Sequence, residues 1–202
     1  GFNLAPTYIR DNIPRTDGSR GRGILFNALH TWPNMPIYDD NGELTFFNRF
    51  PSETGNIFAY PNYVRSALEI TNETKQTNLL SNAYVQYQPI EGLEIKSTIN
   101  AEIRNSKYFY FNPSTATPGM NQAIPTVARS TRDNREIFSW LNENTVTYTK
   151  SINDHNFQLL GGFTNQYFRL DRTQVVGDTY ADDRLPTVQG ALNISRGGTI
   201  SD

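Results

Sequence analysis

Few residues in this chain have the types and spacing that chemistry needs. The only histidines are His30 and His155. His155 falls in a short Asn-Asp-His-Asn turn and His30 at a predicted helix end, so a Ser-His-Asp triad or a two-histidine metal site has poor material, and surface or loop histidines explain both more simply. Cysteine is absent, which removes disulfides, thiol nucleophiles and cysteine-bound metals together. Asp39-Asp40-Asn41-Gly42 lacks the alternate spacing and distal Glu of a calcium loop and reads as turn chemistry. Asp178, Asp182 and Asp183 could hold calcium or sugar hydroxyls, but a solvated acidic loop explains them more simply. The glycines of Gly18-Ser19-Arg20-Gly21-Arg22-Gly23 are in the wrong order for a dinucleotide fingerprint, and no P-loop Lys-Ser/Thr follows. No catalytic residue, metal or cofactor is expected, and the chain reads as something other than an enzyme.

The charged residues that do stand in a pattern are Glu94, Lys96, Glu102 and Arg104. Together with Thr98 and Asn100 they occupy every second position of residues 93–104, while Leu93, Ile95, Ile99, Ala101 and Ile103 take all but one of the others, Ser97. Period-2 alternation of this kind makes a strand with one apolar and one wet face. The preceding stretch matches it, with Ala83, Val85 and Tyr87 opposite Asn82, Tyr84, Gln86 and Gln88. Alternation alone fits a soluble sheet with a core on one side. It also fits a membrane barrel, where a Lys or Arg facing lipid at the midplane costs about 2–4 kcal/mol, so the face of Lys96 and Arg104 would have to look into the lumen.

The elements that position these faces are two hairpins. Residues 78–88 and 93–107 are joined by Pro89-Ile90-Glu91-Gly92, and residues 137–150 and 157–172 by Asn153-Asp154-His155-Asn156. A further strand is expected over residues 1–9. These strands exceed the ~5–6 residues usual in globular proteins and reach the ~9–11 of a membrane-crossing strand. Connections are very short at one end, whereas residues 11–77, 108–136 and 173–202 read as long loops at the other, the layout of an outer-membrane barrel. The first loop is expected to contain a helix over residues 23–32 with Ile24, Leu25, Ala28 and Leu29 on one face. An Asn-Gly turn at residues 38–43 and a second helix capped by Asn62 follow.

Composition agrees with an all-β chain that lacks a large core. Only 37% of the 202 residues are hydrophobic and mean hydropathy is −0.58. No apolar run approaches the ~20 residues of a membrane helix. A formal charge of −2 with scattered Lys and Arg carries no nucleic-acid footprint. Aromatic clusters such as Tyr108-Phe109-Tyr110-Phe111 suit an interfacial girdle, a sugar-stacking surface or simple packing at a loop base.

Several stretches resemble SusC-like TonB-dependent transporters of Bacteroidetes outer membranes, the SusC/RagA type. They are Asn78-Leu79-Leu80-Ser81-Asn82-Ala83-Tyr84-Val85-Gln86-Tyr87, Gly92-Leu93, Tyr110-Phe111-Asn112-Pro113, and Trp140-Leu141-Asn142-Glu143-Asn144-Thr145-Val146-Thr147-Tyr148 with His155-Asn156 and Gly161-Gly162-Phe163-Thr164 after it. Ala28-Leu29, Trp32-Pro33, Pro36-Ile37-Tyr38 and Tyr63-Val64-Arg65-Ser66-Ala67-Leu68 look like the same family's first long loop.

The resemblance implies antiparallel up-and-down strands of a 22-stranded transmembrane barrel. Residues 1–202 then read as a partial barrel domain without its plug or TonB-interacting segment. Implied partners are a SusD-like lipoprotein, the TonB-ExbB-ExbD complex acting through other parts of the protein, outer-membrane lipid, and an oligosaccharide or peptide ligand. Glu94, Lys96, Glu102 and Arg104 are the candidate lumen residues. The residues themselves leave a second possibility, a soluble or surface-displayed β-rich module that binds carbohydrate on exposed aromatics.

Overall fold

Antiparallel strands dominate the computed structural model, which describes all residues except 14–22, 32, 34, 52–56, 117–125 and 202. The strands are β1 (Phe2–Asn12), β4 (Thr71–Ile90), β5 (Leu93–Asn112), β6 (Arg129–Ile152), β7 (His155–Tyr180) and β8 (Ala191–Ser201), and they form one sheet in the order β1-β4-β5-β6-β7-β8. Each strand pairs with its sequence neighbour in the sheet, so the topology is up-and-down. The connection from β1 to β4 holds helix α1 (Ile24–His30), a hairpin of β2 (Phe47–Pro51) and β3 (Ile57–Pro61), and helix α2 (Tyr63–Glu69).

Both tight hairpins are shorter than expected. Strands β4 and β5 meet at Ile90↔Leu93, leaving Glu91-Gly92 as the turn, with a register shift between Tyr87 and Ile90. Gly92 has φ 81°, and an added Cβ would lie 2.1 Å from the Thr149 carbonyl oxygen, so the position requires glycine. Strands β6 and β7 meet at Ile152↔His155 around Asn153-Asp154, with Asn153 at φ 52°. His155 therefore opens a strand and does not sit in a four-residue turn.

The main strands also run further outward than their alternation predicts. Residues 71–77, 108–112, 129–136 and 173–180 are strand, and the stretch 173–202 read as loop contains β8. Backbone pairing with a neighbour suffices to extend these strands where no apolar face demands alternation. In α1 the buried side chain is Asn27, while Leu25 and Leu29 are exposed, contrary to the expected apolar inner face. Trp32 and the glycine-rich residues 18–22 lie outside the described residues.

Register fixes which side chains share a face. Directly paired residues point to the same side, so Leu93, Ile95, Ile99, Ala101 and Ile103 of β5 lie with Leu79, Ala83, Val85 and Tyr87 of β4 and with Phe138, Trp140, Val146 and Tyr148 of β6. Leu4 and Phe2 continue this face on β1, and Leu159 and Phe163 on β7.

This apolar face is uncovered: Val85 is 72% exposed, Ile99 48% and Leu159 73%. Glu94, Lys96, Thr98, Asn100, Glu102 and Arg104 on the opposite face are only half-exposed. Among the described residues the buried apolar side chains are Phe111, Ala116, Ala128 and Ala191, all near the outward end. The sheet is the inverse of a water-soluble one.

Candidate functional site: the polar face and its outward end

The polar face forms a shallow concavity of about 840 Å³ at mid-sheet, where Asn82, Asn100, Glu102, Ser139 and Gln166 stand among Leu80, Leu141 and Phe168. Neighbouring strands place these side chains side by side because each strand contributes every second residue. Asn82 donates through Nδ2 to Asn100 Oδ1 at 2.6 Å across β4 and β5. Arg104 bonds Glu102 two residues away on the same face. The Lys96 ammonium sits 5.2 Å from the Tyr84 ring centroid, and Gln88 Nε2 lies 3.4 Å from a Glu94 oxygen. All four predicted residues thus share one face with a mixed-sign, hydrogen-bonding surface, suited to a polar solute or to water rather than to covalent chemistry.

The outward end of the same face adds a cluster the sequence did not single out. Asp133 of β6 is buried and accepts from Arg172 Nε at 3.0 Å, with Arg135 and Gln174 at 3.5 Å. The Arg172 guanidinium is the main cause holding this carboxyl below the usual range, against a desolvation penalty from burial. Pairings Tyr108↔Asp133↔Gln174 and Ser106↔Arg135↔Arg172 bring the cluster together, a product of register that no local motif reveals.

The loop elements rest on polar locks. Asn62 caps α2 by accepting from the backbone N–H groups of Val64 and Arg65 at 3.0 and 3.3 Å, as its position predicts. Its amide also donates to the Ile37 and Thr45 carbonyls at 2.8 and 3.0 Å, tying the cap to the 38–43 turn. In that turn Asp39 Oδ1 accepts from the N–H groups of Asn41 and Glu43 at 2.9 Å, with Gly42 at φ 81°. Arg65 stacks over Phe46, pairs with Glu69 at 2.9 Å and donates to the Leu44 carbonyl.

The acidic residues of the last loop do not converge. Asp182 is held by Arg184, whose hydrogen bonds lower its pKa to about 2. Asp183 accepts from the Ser114 N–H at 2.7 Å and its hydroxyl at 2.6 Å, and Asp178 accepts from Asn193 at 3.0 Å. Each carboxylate is engaged separately, and no group of three potential metal ligands occurs among the described residues.

On the apolar face, β6 interrupts Phe138, Trp140, Val146 and Tyr148 with Asn142 and Asn144. Asn144 donates to Asn142 at 2.6 Å and Asn142 to the Thr98 carbonyl at 3.0 Å, which limits their desolvation cost.

No family model matches the chain. Among curated proteins, TonB-dependent receptor P3 of Formosa agariphila is 30% identical over 152 residues, covering 75% of this chain and 14% of the receptor. TonB-dependent receptor P26 of the same bacterium is 32% identical over 173 residues, 82% of this chain and 16% of that protein. The chain thus spans about a sixth of the curated relatives it matches. A solved structure described as the RagAB peptide transporter superposes with a TM-score of 0.70 at 18% identity, over 99% of this chain and 22% of that one, so the fold is shared. Both relatives carry the name TonB-dependent receptor.

Proposed function

We propose, from the premise that this chain is a SusC/RagA-like stretch of a TonB-dependent receptor barrel, that it forms part of the wall of an outer-membrane importer. Its apolar face meets lipid and its polar face, with Glu94, Lys96, Glu102 and Arg104, wets the path of the imported solute. The carrying observation is β5, on which Ile95, Ile99 and Ile103 are exposed while Glu94, Lys96, Thr98, Asn100, Glu102 and Arg104 of the opposite face are half-covered. On β5 the apolar stretch from Leu93 to Ile103 covers ten residue steps, which at ~3.3 Å each and a tilt of about 40° gives a height near 25 Å, matching the apolar band of such barrels. A soluble sheet would leave this patch in water, whereas soluble proteins rarely expose contiguous apolar patches of more than a few hundred Å².

Closure into a barrel of 22 strands would give β1 and β8, the two edges of the described sheet, neighbours to pair with, since lipid does not tolerate unpaired strand edges. Energy would come from the TonB-ExbB-ExbD complex acting through other parts of the protein. A SusD-like lipoprotein would sit over the outward end, where Leu25 and Leu29 of α1 and Leu68 of α2 are 57%, 74% and 70% exposed and offer apolar contact. The cargo is an oligosaccharide or a peptide, and the mixed donors and acceptors of the polar face suit either.

These 202 residues contain no cysteine, so once any cysteine elsewhere in the receptor is replaced the test is direct. In the full-length receptor, Lys96→Cys and Arg104→Cys should react with a bulky water-soluble thiol reagent and slow uptake of labelled oligosaccharide or peptide. Ile99→Cys should stay unreactive in membranes. Uptake that is indifferent to labelling at both polar positions would remove this face from the transport path.

A further inference from the structure

Three cations stand in one row on the lipid-side face, just beyond the apolar band. Register pairs Arg10 with Lys75 and Lys75 with Lys107, so adjacent strands β1, β4 and β5 carry them side by side at strand spacing, ~4.8 Å. Like charges directly opposite destabilise a sheet unless something anionic lies among them. Only one carboxylate serves the row: Glu73, one row further out, takes Arg10 at 2.7 Å and Lys75 at 3.0 Å. Lys107 is exposed and has no carboxylate partner among the described residues, Glu136 of β6 included. Next to Glu73 in its row lie Phe109 and then Arg132, whose guanidinium stacks 4.6 Å from the Phe109 ring centroid, and Arg132 too is exposed.

We infer that this row binds the phosphate groups of a phosphorylated glycolipid in the outer leaflet. The inference rests on the transporter reading, which sets the short turns on the inner side of the membrane and this row on the outer side. From Ile103, the outermost aliphatic residue of β5 on this face, Lys107 is four residues away, about 13 Å along the strand and roughly 10 Å in height, the level of headgroups rather than acyl chains. Ammonium and guanidinium groups are the side chains that bind phosphate, the guanidinium in a bidentate fork. The aromatic Phe109 beside them suits the interface. A lipid anion would relieve the Lys75/Lys107 repulsion that Glu73, already shared, cannot.

The test uses the full-length receptor in mild detergent, read by native mass spectrometry with added lipid A, bisphosphorylated or enzymatically dephosphorylated, and with inorganic phosphate. Retained adducts should form with phosphorylated lipid A and be on the order of tenfold weaker with the dephosphorylated lipid or with Lys75→Gln/Lys107→Gln. Lys75→Arg/Lys107→Arg should retain binding, which separates lost charge from lost fold. Lys150→Gln, a cation at the opposite rim, should change nothing. Equal binding of both lipids, undiminished binding in the double Gln variant, or full displacement by inorganic phosphate at millimolar concentration would overturn the inference while leaving the transporter reading intact. Failure of the parent to partition into detergent or bilayers at all would overturn both.

Discussion

Placing a lysine at Ile99 is the perturbation on which the two faces of the sheet differ most. Ile99 lies in the middle of the apolar stretch of β5, 48% exposed, with Ala83 and Asn142 as cross-strand neighbours. A lysine facing lipid at the midplane costs about 2–4 kcal/mol in such barrels, a factor of roughly 30 to 1,000 in the folding equilibrium. Its neighbour Thr98 points to the polar face beside Tyr84 and Glu143, where an added ammonium gains a ring and a carboxylate. Thr98→Lys should therefore cost almost nothing. Asn105→Lys, on the apolar side but beyond the band, should cost about 0–1 kcal/mol because the penalty falls towards the interface. Urea unfolding of the full-length receptor in phospholipid bilayers measures all three, and outer-membrane yield reports the same order in cells. Equal losses for Ile99→Lys and Thr98→Lys would undo the face assignment, and an equal loss for Asn105→Lys would undo the depth assignment.

Other expected outcomes follow from single contacts. Gly92→Ala should destabilise the β4–β5 hairpin by about 1–3 kcal/mol, because its Cβ would meet the Thr149 carbonyl at 2.1 Å with φ at 81°, whereas Gly161→Ala, with open space around it, should be near neutral in the same urea assay. Asn62→Ala should remove the α2 cap and its ties to Ile37 and Thr45, speeding hydrogen exchange over residues 63–69 on the order of tenfold with no change in barrel unfolding. Asp182 has its pKa lowered from 3.8 to about 2 by Arg184, so the order it lends the last loop is present above about 4 and lost as pH falls towards 2. The protection of amides 181–187, taken relative to their intrinsic exchange rates at each pH, should fall across that window, and Asp182→Asn should abolish this change in protection.

What was legible in the sequence follows the physics of each region. Residues 93–104 declare themselves because apolar and polar side chains alternate along them, and Gly92 and Asn62 because positive φ and helix capping demand particular residues. Beyond the band that alternation lapses. Residues 71–77 and 129–136 are polar on both faces, 108–112 are aromatic on both and 173–180 are mixed, so none of them alternates, and backbone pairing to a neighbour makes them strand. Strand β8 is hidden for a similar reason, since Gly197 and Gly198 read as a break yet pair with Gln174 and Thr173.

Helix α1 was misread in its inner face because a short loop helix can be anchored by one buried polar residue, Asn27, leaving Leu25 and Leu29 outside. That Glu94, Lys96, Glu102 and Arg104 share one face is legible from alternation alone. Neither the Asp133–Arg172–Arg135 cluster nor the Arg10–Lys75–Lys107 row could be found that way, because each is assembled by register between strands far apart in sequence.

Spin-label accessibility along residues 93–104 of the full-length receptor in bilayers tests the central claim most directly. Labels at Ile95, Ile99 and Ile103 should be relaxed by oxygen, which concentrates in lipid, and labels at Lys96, Thr98 and Glu102 by a water-soluble nickel chelate, the two profiles running in opposite phase with period two. Profiles in phase, or odd positions shielded from oxygen as in a soluble core, would contradict the assignment of the apolar face to lipid and the charged face to the transport path.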